Sequence, residues 1–174
     1  LDQYVNNVFS YMQSKGYDGF DVDWEFPWTE ADKQGHVELL RRLRVKLDAM
    51  NPRGVLTLAV HNSAVNLWNV AGIMQYADQV NMMNYDLSGF WTSYSGFNTA
   101  INKPSDCPNY NSDLTSRGVA AWRNAGADMS KMGLGLSFLG YLWPNVDAYC
   151  QTGHHLLLNP KFAMGNYMAV ARLT

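Results

Sequence analysis

Hydrophobic and polar positions follow two periods along this chain, and each change of period marks a new element. Leu1, Tyr4, Val5, Val8, Phe9 and Met12 recur at helical spacing, with Gly16 where a helix C-cap would stand. Residues 19–25 alternate instead, Phe20, Val22 and Trp24 against Asp21, Asp23 and Glu25, which predicts a strand ended by Phe26-Pro27. Val37, Leu40, Leu43, Leu47 and Met50 return to the helical period over about 30–50. Asn51-Pro52-Arg53-Gly54 closes that helix, and Arg41, Arg42 and Lys46 read as its solvated face. The nearly continuous apolar run from Val55 to Val60 is the pattern of a parallel strand covered on both sides, ended by His61-Asn62-Ser63, where His61 is a strand-end hydrogen bonder. A short helix over about 67–77, a strand over 79–86, a helix near 112–126 around Leu114, Val119 and Trp122, and a strand over 132–138 complete the series. Leu87 to Asn111, rich in Gly, Ser, Asn, Pro and aromatics, reads as a functional loop.

This order predicts an α/β fold with a parallel sheet and right-handed crossovers. An open doubly wound sheet and a (β/α)8 TIM barrel both place sites at strand C-termini, where polar groups gather here at Glu25, His61-Asn62 and Tyr85-Asp86. No glycine-rich phosphate turn follows any strand, and a row of acids along one strand needs a lumen to face. The barrel is therefore the expectation. A complete one takes about 250 residues, and about four βα units are visible. Residues 1–174 are read as a single incomplete barrel domain in which 142–174 is a tail that the pattern does not assign. A barrel cut in this way would leave open sheet edges and uncovered apolar faces.

Composition changes this picture only by exclusion. With 47% hydrophobic and 16% charged residues the chain is globular. A net charge of -2, without a basic run interleaved with aromatics, argues against nucleic acid as a partner. No apolar run reaches the ~18 residues of a membrane span, and any targeting segment lies outside this sequence. Among 6 Trp and 10 Tyr, Trp28, Trp91, Tyr94, Tyr141 and Trp143 fall in segments read as loops. They suit either a carbohydrate groove, where rings stack on sugar faces, or ordinary core. Cys107 and Cys150 fix no pairing, and two free thiols are the reading taken. His154-His155 has no partner at ligand spacing, so no metal and no cofactor is expected.

The chemistry resides in the alternating strand. Side chains two apart on a strand are separated by roughly 6.5–7 Å, so three ionised carboxylates at Asp21, Asp23 and Glu25 would repel unless at least one kept its proton. That arrangement serves an acid catalyst.

Asp18-Gly19-Phe20-Asp21-Val22-Asp23-Trp24-Glu25 resembles the D-G-x-D-x-D-W-E signature of glycoside hydrolase family 18, the chitinases and their relatives. Met83-Asn84-Tyr85-Asp86 is similar to that family's M-x-Y-D motif, followed by Leu87-Ser88-Gly89-Phe90-Trp91. Leu134-Gly135-Leu136-Ser137-Phe138 resembles its seventh strand, so the resemblance runs over residues 1–141, third helix through seventh strand. It implies a secreted, endo-acting chitinase that cleaves β-1,4-linked N-acetylglucosamine polymers with retention, the substrate supplying its own nucleophile. Carried onto this sequence, Glu25 is the general acid and later the base, Asp23 holds the acetamide N–H, and Asp21 shares a proton with Asp23. Tyr85 donates to the acetamide oxygen. Met83 and Asp86 line the cleavage point, Trp28 and Trp91 stack on sugars, and Tyr141 is a further substrate-binding candidate. Asp18 and Gly19 are structural, at the turn into the strand.

The chain departs from the pattern at Phe138-Leu139-Gly140-Tyr141, where many relatives read F-Y-G-R, so a Tyr and an Arg beside the sugar are absent. Two alternatives stay open: an endo-β-N-acetylglucosaminidase acting on N-glycans, and a non-catalytic chitin-binding lectin of the same fold, against which the presence of Glu25 counts. The implied partners are chitin and its oligosaccharides. The isolated chain is expected to be inactive, because strands resembling the family's first three and its eighth are not in it.

Overall fold

A computed structural model describes residues 1–89, 91, 92, 94–107, 110, 113–141, 143, 150 and 164–166. In chain order they form α1 (Asp2–Ser14), β1 (Gly19–Asp23), α2 (Glu30–Asp48), β2 (Val55–His61), α3 (Val70–Tyr76), β3 (Gln79–Met83), α4 (Thr115–Asn124), β4 (Met132–Leu134), β5 (Leu139–Tyr141) and β6 (Met164–Asn166), with single 3-10 turns at Val65–Leu67 and Met129–Lys131. They divide into two compact units, one of residues 1–83 with 121–134 and the other of 84–120 with 135–174.

The first unit holds a parallel sheet in the order β1-β2-β3-β4. The register separates two faces. Asp21 pairs with Thr57, Asp23 with Ala59, Ala59 with Asn81 and Asn81 with Gly133, so these small and polar residues share one face. Leu56, Leu58, Val60, Val80 and Met82 take the other face and are fully buried. This corrects the expectation that β2 is covered on both sides: its burial alternates, because Thr57, Ala59 and His61 belong to the polar face. The strands also end sooner than their patterns predict. Pairing of β1 stops at Asp23 opposite Ala59 and pairing of β3 with β4 at Met82 opposite Leu134, so Trp24, Glu25 and residues 135–138 lie beyond the ladder.

Local sequence explains the helices. The α1 helix ends in a Schellman turn with Gly16 at φ +70°, Gly16 N–H donating to the Gln13 carbonyl and Tyr17 N–H to that of Met12. At the start of α2 a capping box closes: Thr29 accepts from the Asp32 N–H, and the Asp32 carboxylate accepts from the Thr29 N–H. Lys131 Nζ donates to the Met74 and Ala77 carbonyls and so caps the end of α3. The apolar stripe of α2 supplies Leu40, Leu43 and Leu47 to the core, but two polar residues ride on it, His36 and Arg44.

Arg44 anchors the start of β2. Its guanidinium donates to Asp78 Oδ2 at 2.8 Å and to the Gly54 carbonyl at 2.6 Å, and its Nε lies 2.8 Å from Asp48 Oδ1. Asp78 in turn accepts from the Leu56 N–H and from Arg53, each at 2.8 Å. Burial pushes the Asp78 carboxyl up, but these hydrogen bonds and the charges of Arg44 and Arg53 carry it below its ordinary value. On the outer side of α2, Arg41 and Arg42 pair with Glu38, and Arg42 also with Asp2, as suits a solvated face.

A groove of about 760 Å³ lies beside β1, lined by Phe20 through Glu25 together with Tyr4, Val8, Tyr11, Leu39 and Leu43. Its lining draws consecutive residues from both faces of one strand. It runs along the side of β1 away from β2.

The second unit is organised by a small core of Tyr94, Ala100, Cys107, Tyr110 and Leu114, against which Cys150 packs. Cys107 and Cys150 are disulfide-bonded, which corrects the free-thiol reading. Spacing of 43 residues carried no signal for it; the packing of the loop does. In the stretch that the sequence pattern did not assign, β6 pairs antiparallel with β5, Tyr141 opposite Met164. His154 and His155 lie outside the described residues.

Candidate active site

The acidic motif is built by β1. Gly19 starts the strand where a Cβ would run into the Val55 backbone, so a glycine lets β1 close on β2. Asp18 contributes its backbone carbonyl, which accepts from the Val55 N–H at 2.9 Å; its side chain is exposed. Asp21 and Asp23 project on the polar face and are exposed, and Asp21 Oδ1 accepts from Thr57 Oγ1 at 2.5 Å. Glu25 follows two residues beyond Asp23, also exposed, and its peptide bond to Phe26 is cis.

Behind the motif stands an aromatic cluster that sequence reasoning did not find. Trp24 meets His36 edge to face at 5.9 Å, and His36 meets Trp68 at 5.2 Å. Phe26 meets Trp68 at 6.4 Å, His61 at 5.4 Å and Trp28 at 5.9 Å. Trp68 backs onto Trp122, which is fully buried and donates from Nε1 to the His61 and Asn62 carbonyls. His61 itself accepts at Nδ1 from the Ser63 and Ala64 N–H groups, so it is a strand-end hydrogen bonder as expected.

His36 is 1% exposed, and its Nε2 has no hydrogen-bond partner among the described residues. Burial pushes its pKa down to about 4 from 6.5. Between those values the unfolded chain binds the proton that the folded one refuses, so stability rises with pH across this window, is full above 6.5 and is lost as pH falls to about 4. The amount is about 3 kcal/mol. Chemical denaturation of wild type and His36→Phe at pH 4 to 7 is expected to show the wild-type slope exceeding that of the variant; parallel curves would remove this account.

In the second unit Asp86, Trp91 and Tyr141 come together. Tyr141 donates its hydroxyl to Asp86 Oδ1 at 2.7 Å and meets the Trp91 indole edge to face at 5.5 Å. Burial and then the Asp86 hydrogen bond raise the Tyr141 pKa, which keeps it a donor. Asp86 adopts φ +57°, and its N–H donates to Asn98 Oδ1 at 2.6 Å. A Cβ at Gly89 would come within 2.5 Å of the Trp91 indole, so this glycine makes room for the ring. Tyr85 is half-buried in this unit, while Met83, half-buried, ends β3 in the first.

The loop aromatics divide. Trp28 and Trp91 are 69% and 50% exposed, enough to offer a ring face to a ligand; Tyr94 is 4% exposed and belongs to the core. Tyr141 and Trp143 are half-buried. No described helix is long and apolar enough to cross a membrane.

Comparison with known proteins places this geometry. Chitinase A1 of Niallia circulans is 29% identical over 171 residues, which cover 87% of this chain and 24% of that protein. The crystal structure of a class V chitinase from Nicotiana tobaccum superposes with a TM-score of 0.80 at 26% identity, over 97% of this chain and 52% of that one. Catalytic domain 2 of the Ostrinia furnacalis Group II chitinase, solved in complex with penta-N-acetylchitooctaose (NAG)5, gives 0.76 at 26% identity, over 88% of this chain and 43% of that one. The chain thus spans between a quarter and about half of these proteins, and its consecutive parallel strands are part of a (β/α)8 TIM barrel. The sequence model of glycosyl hydrolases family 18 matches residues 2–169, nearly end to end, and the chain belongs to that family.

Proposed function

We propose that the protein carrying this chain is a secreted, endo-acting chitinase that hydrolyses β-1,4-linked N-acetylglucosamine polymers with retention of configuration. The observation that carries the reading is the register of β1: Asp21 and Asp23 lie on the polar face of a sheet whose opposite face is buried, and Glu25 continues their row past the end of the ladder. The (NAG)5 complex of the Ostrinia furnacalis domain supports a chitin oligosaccharide as ligand. The Cys107–Cys150 disulfide supports an oxidising compartment.

Glu25 gives its proton to the glycosidic oxygen as the bond from that oxygen to the anomeric carbon breaks, and the bond's electron pair leaves with the oxygen. The substrate's acetamide oxygen closes on the anomeric carbon to form an oxazolinium. Asp23 accepts the acetamide N–H and offsets the positive charge; Asp21, held by Thr57, stands one step deeper along the row. Tyr85 donates to the acetamide oxygen, an assignment that rests on its motif. Glu25, now a carboxylate, takes a proton from the water that opens the oxazolinium. Met83, Asp86, Trp28, Trp91 and Tyr141 contact the sugars, Asp86 with its carboxylate already engaged by Tyr141.

The test is Asp23→Asn, assayed on an N-acetylglucosamine oligomer with the product anomer followed by NMR. Wild type is expected to release the β anomer, and the amide variant to lower turnover by ~10²-fold or more through loss of positioning. Release of the α anomer, or a near wild-type rate in the variant, would overturn substrate assistance. Faster release of N-glycans than cleavage of chitin oligomers would favour the endo-β-N-acetylglucosaminidase.

A further inference from the structure

Glu25 is held between two aromatic residues, Trp24 and Phe26, and both are tied to the same indole. Phe26 reaches Trp68 directly, at 6.4 Å. Among the described residues Trp24 reaches it through His36, which stands 5.9 Å from one ring and 5.2 Å from the other, in T-shaped pairs at 75° and 65°. Trp68 has little freedom, because Trp122 lies against it and is itself pinned by hydrogen bonds to the carbonyls that end β2. The strand ladder cannot do this job: it stops at Asp23, two residues before the acid.

We propose that His36 is a positioning residue for Glu25, the ring that transmits the fixed position of Trp68 to Trp24 and so holds the chain on the N-terminal side of the acid. The proposal rests on the reading of Glu25 as the general acid. It names the imidazole as an aromatic spacer and gives it no contact with substrate. His36 belongs to α2, so the helix that packs on β2 also sets the acid. An aromatic ring at this position keeps two edge-to-face contacts; an aliphatic one of similar bulk fills the space but leaves Trp24 without a quadrupole partner, free to tilt and carry Glu25 with it.

The experiment compares His36→Phe and His36→Leu with wild type in the protein that carries this chain, using thermal midpoints, the near-ultraviolet circular dichroism of the tryptophans, and kcat and KM on a chitin oligosaccharide. His36→Leu is expected to lower kcat by about 10-fold or more, since small misplacements of a catalytic group are costly, with KM within about 2-fold and a changed aromatic dichroism signal. His36→Phe is expected to recover most of kcat. A purely structural role would move the thermal midpoint and leave kcat of the folded enzyme alone. His36→Leu folding with wild-type kcat, or His36→Phe as slow as His36→Leu at an equal midpoint, would overturn the proposal. Should His36→Leu fail to fold, His36→Phe decides on its own: kcat near wild type with an unchanged aromatic signal supports the spacer, and a 10-fold loss removes it. Glu25→Gln is run alongside. If it keeps wild-type turnover, the reading of the acid falls and takes the proposal with it; if it loses turnover while His36→Leu does not, His36 alone is removed.

Discussion

Glu25→Gln is expected to lower turnover of a chitin oligosaccharide by ~10²–10⁴-fold while binding changes by no more than a few-fold. The amide keeps the size of the carboxyl, and Glu25 is exposed at the end of its row, so the exchange disturbs no buried contact. What it removes is a proton that can be given to the leaving oxygen and a base that can take one back from water. Both steps lie on the barrier, and neither contributes to the ground-state complex. Single-turnover rates paired with calorimetric affinities for a non-hydrolysed oligomer measure the two quantities separately. A variant that binds weakly but turns over normally would make Glu25 a binding residue and sink its role as the acid.

Asp78→Ala carries the largest expected cost in stability, about 3 kcal/mol. The side chain of Arg44 is 7% exposed and lies 2.8 Å from both Asp78 and Asp48; without Asp78, Asp48 and the Gly54 carbonyl remain as partial compensation. Removing Asp78 also strips the Leu56 N–H of its acceptor and leaves Arg53 with Asp48 alone. Replacing Arg44 by Met at the same time should cost less than Asp78→Ala alone, since the buried charge that has lost one of its two carboxylates is then removed as well. Equilibrium denaturation of the single and double variants decides it: a single variant within about 1 kcal/mol of wild type would show that the ion network is solvated in practice. The sign of the pH effect separates this group from His36. The contribution of Asp78 is complete above its ordinary value of 3.8 and fades as pH falls below it, whereas that of His36 has already gone by about 4.

The period of two along residues 19–25 and the period of 3.6 along α2 carried the fold class, the order of the elements and the face of the acids. What escaped was what periodicity treats as exceptions. His36 and Arg44 occupy the buried stripe of α2 at the spacing of its leucines, and a search for apolar residues passes over both. Thr29 and Asp32, three apart at the start of α2, close a capping box that hydrophobic periodicity does not register. Contacts between segments far apart had no local trace. Tyr141 lies 55 positions from the Asp86 it hydrogen-bonds, and only the chain's path joins them. The departure from F-Y-G-R at residue 141 thus installs a neutral donor on Asp86. Tyr94 and Tyr110 sit in a sequence that looks like a loop, yet they form its core at a ring distance of 5.5 Å.

The register of β1 against β2 divides its peptide groups between two sides. In a parallel pair, successive residues of a strand turn their peptide groups to opposite sides. Because the Val55 N–H bonds to the Asp18 carbonyl, Phe20 and Val22 are the residues of β1 that face β2, while Gly19, Asp21 and Asp23 direct theirs to the side away from β2. The hydrogen bonds to β2 thus alternate with the acids, made by the residue before each of them. Each acid is therefore placed by the residues beside it: Phe20 and Val22 set Asp21 and Asp23 through the ladder, and the rings of Trp24 and Phe26 stand in that place for Glu25, where the pairing with β2 has ended.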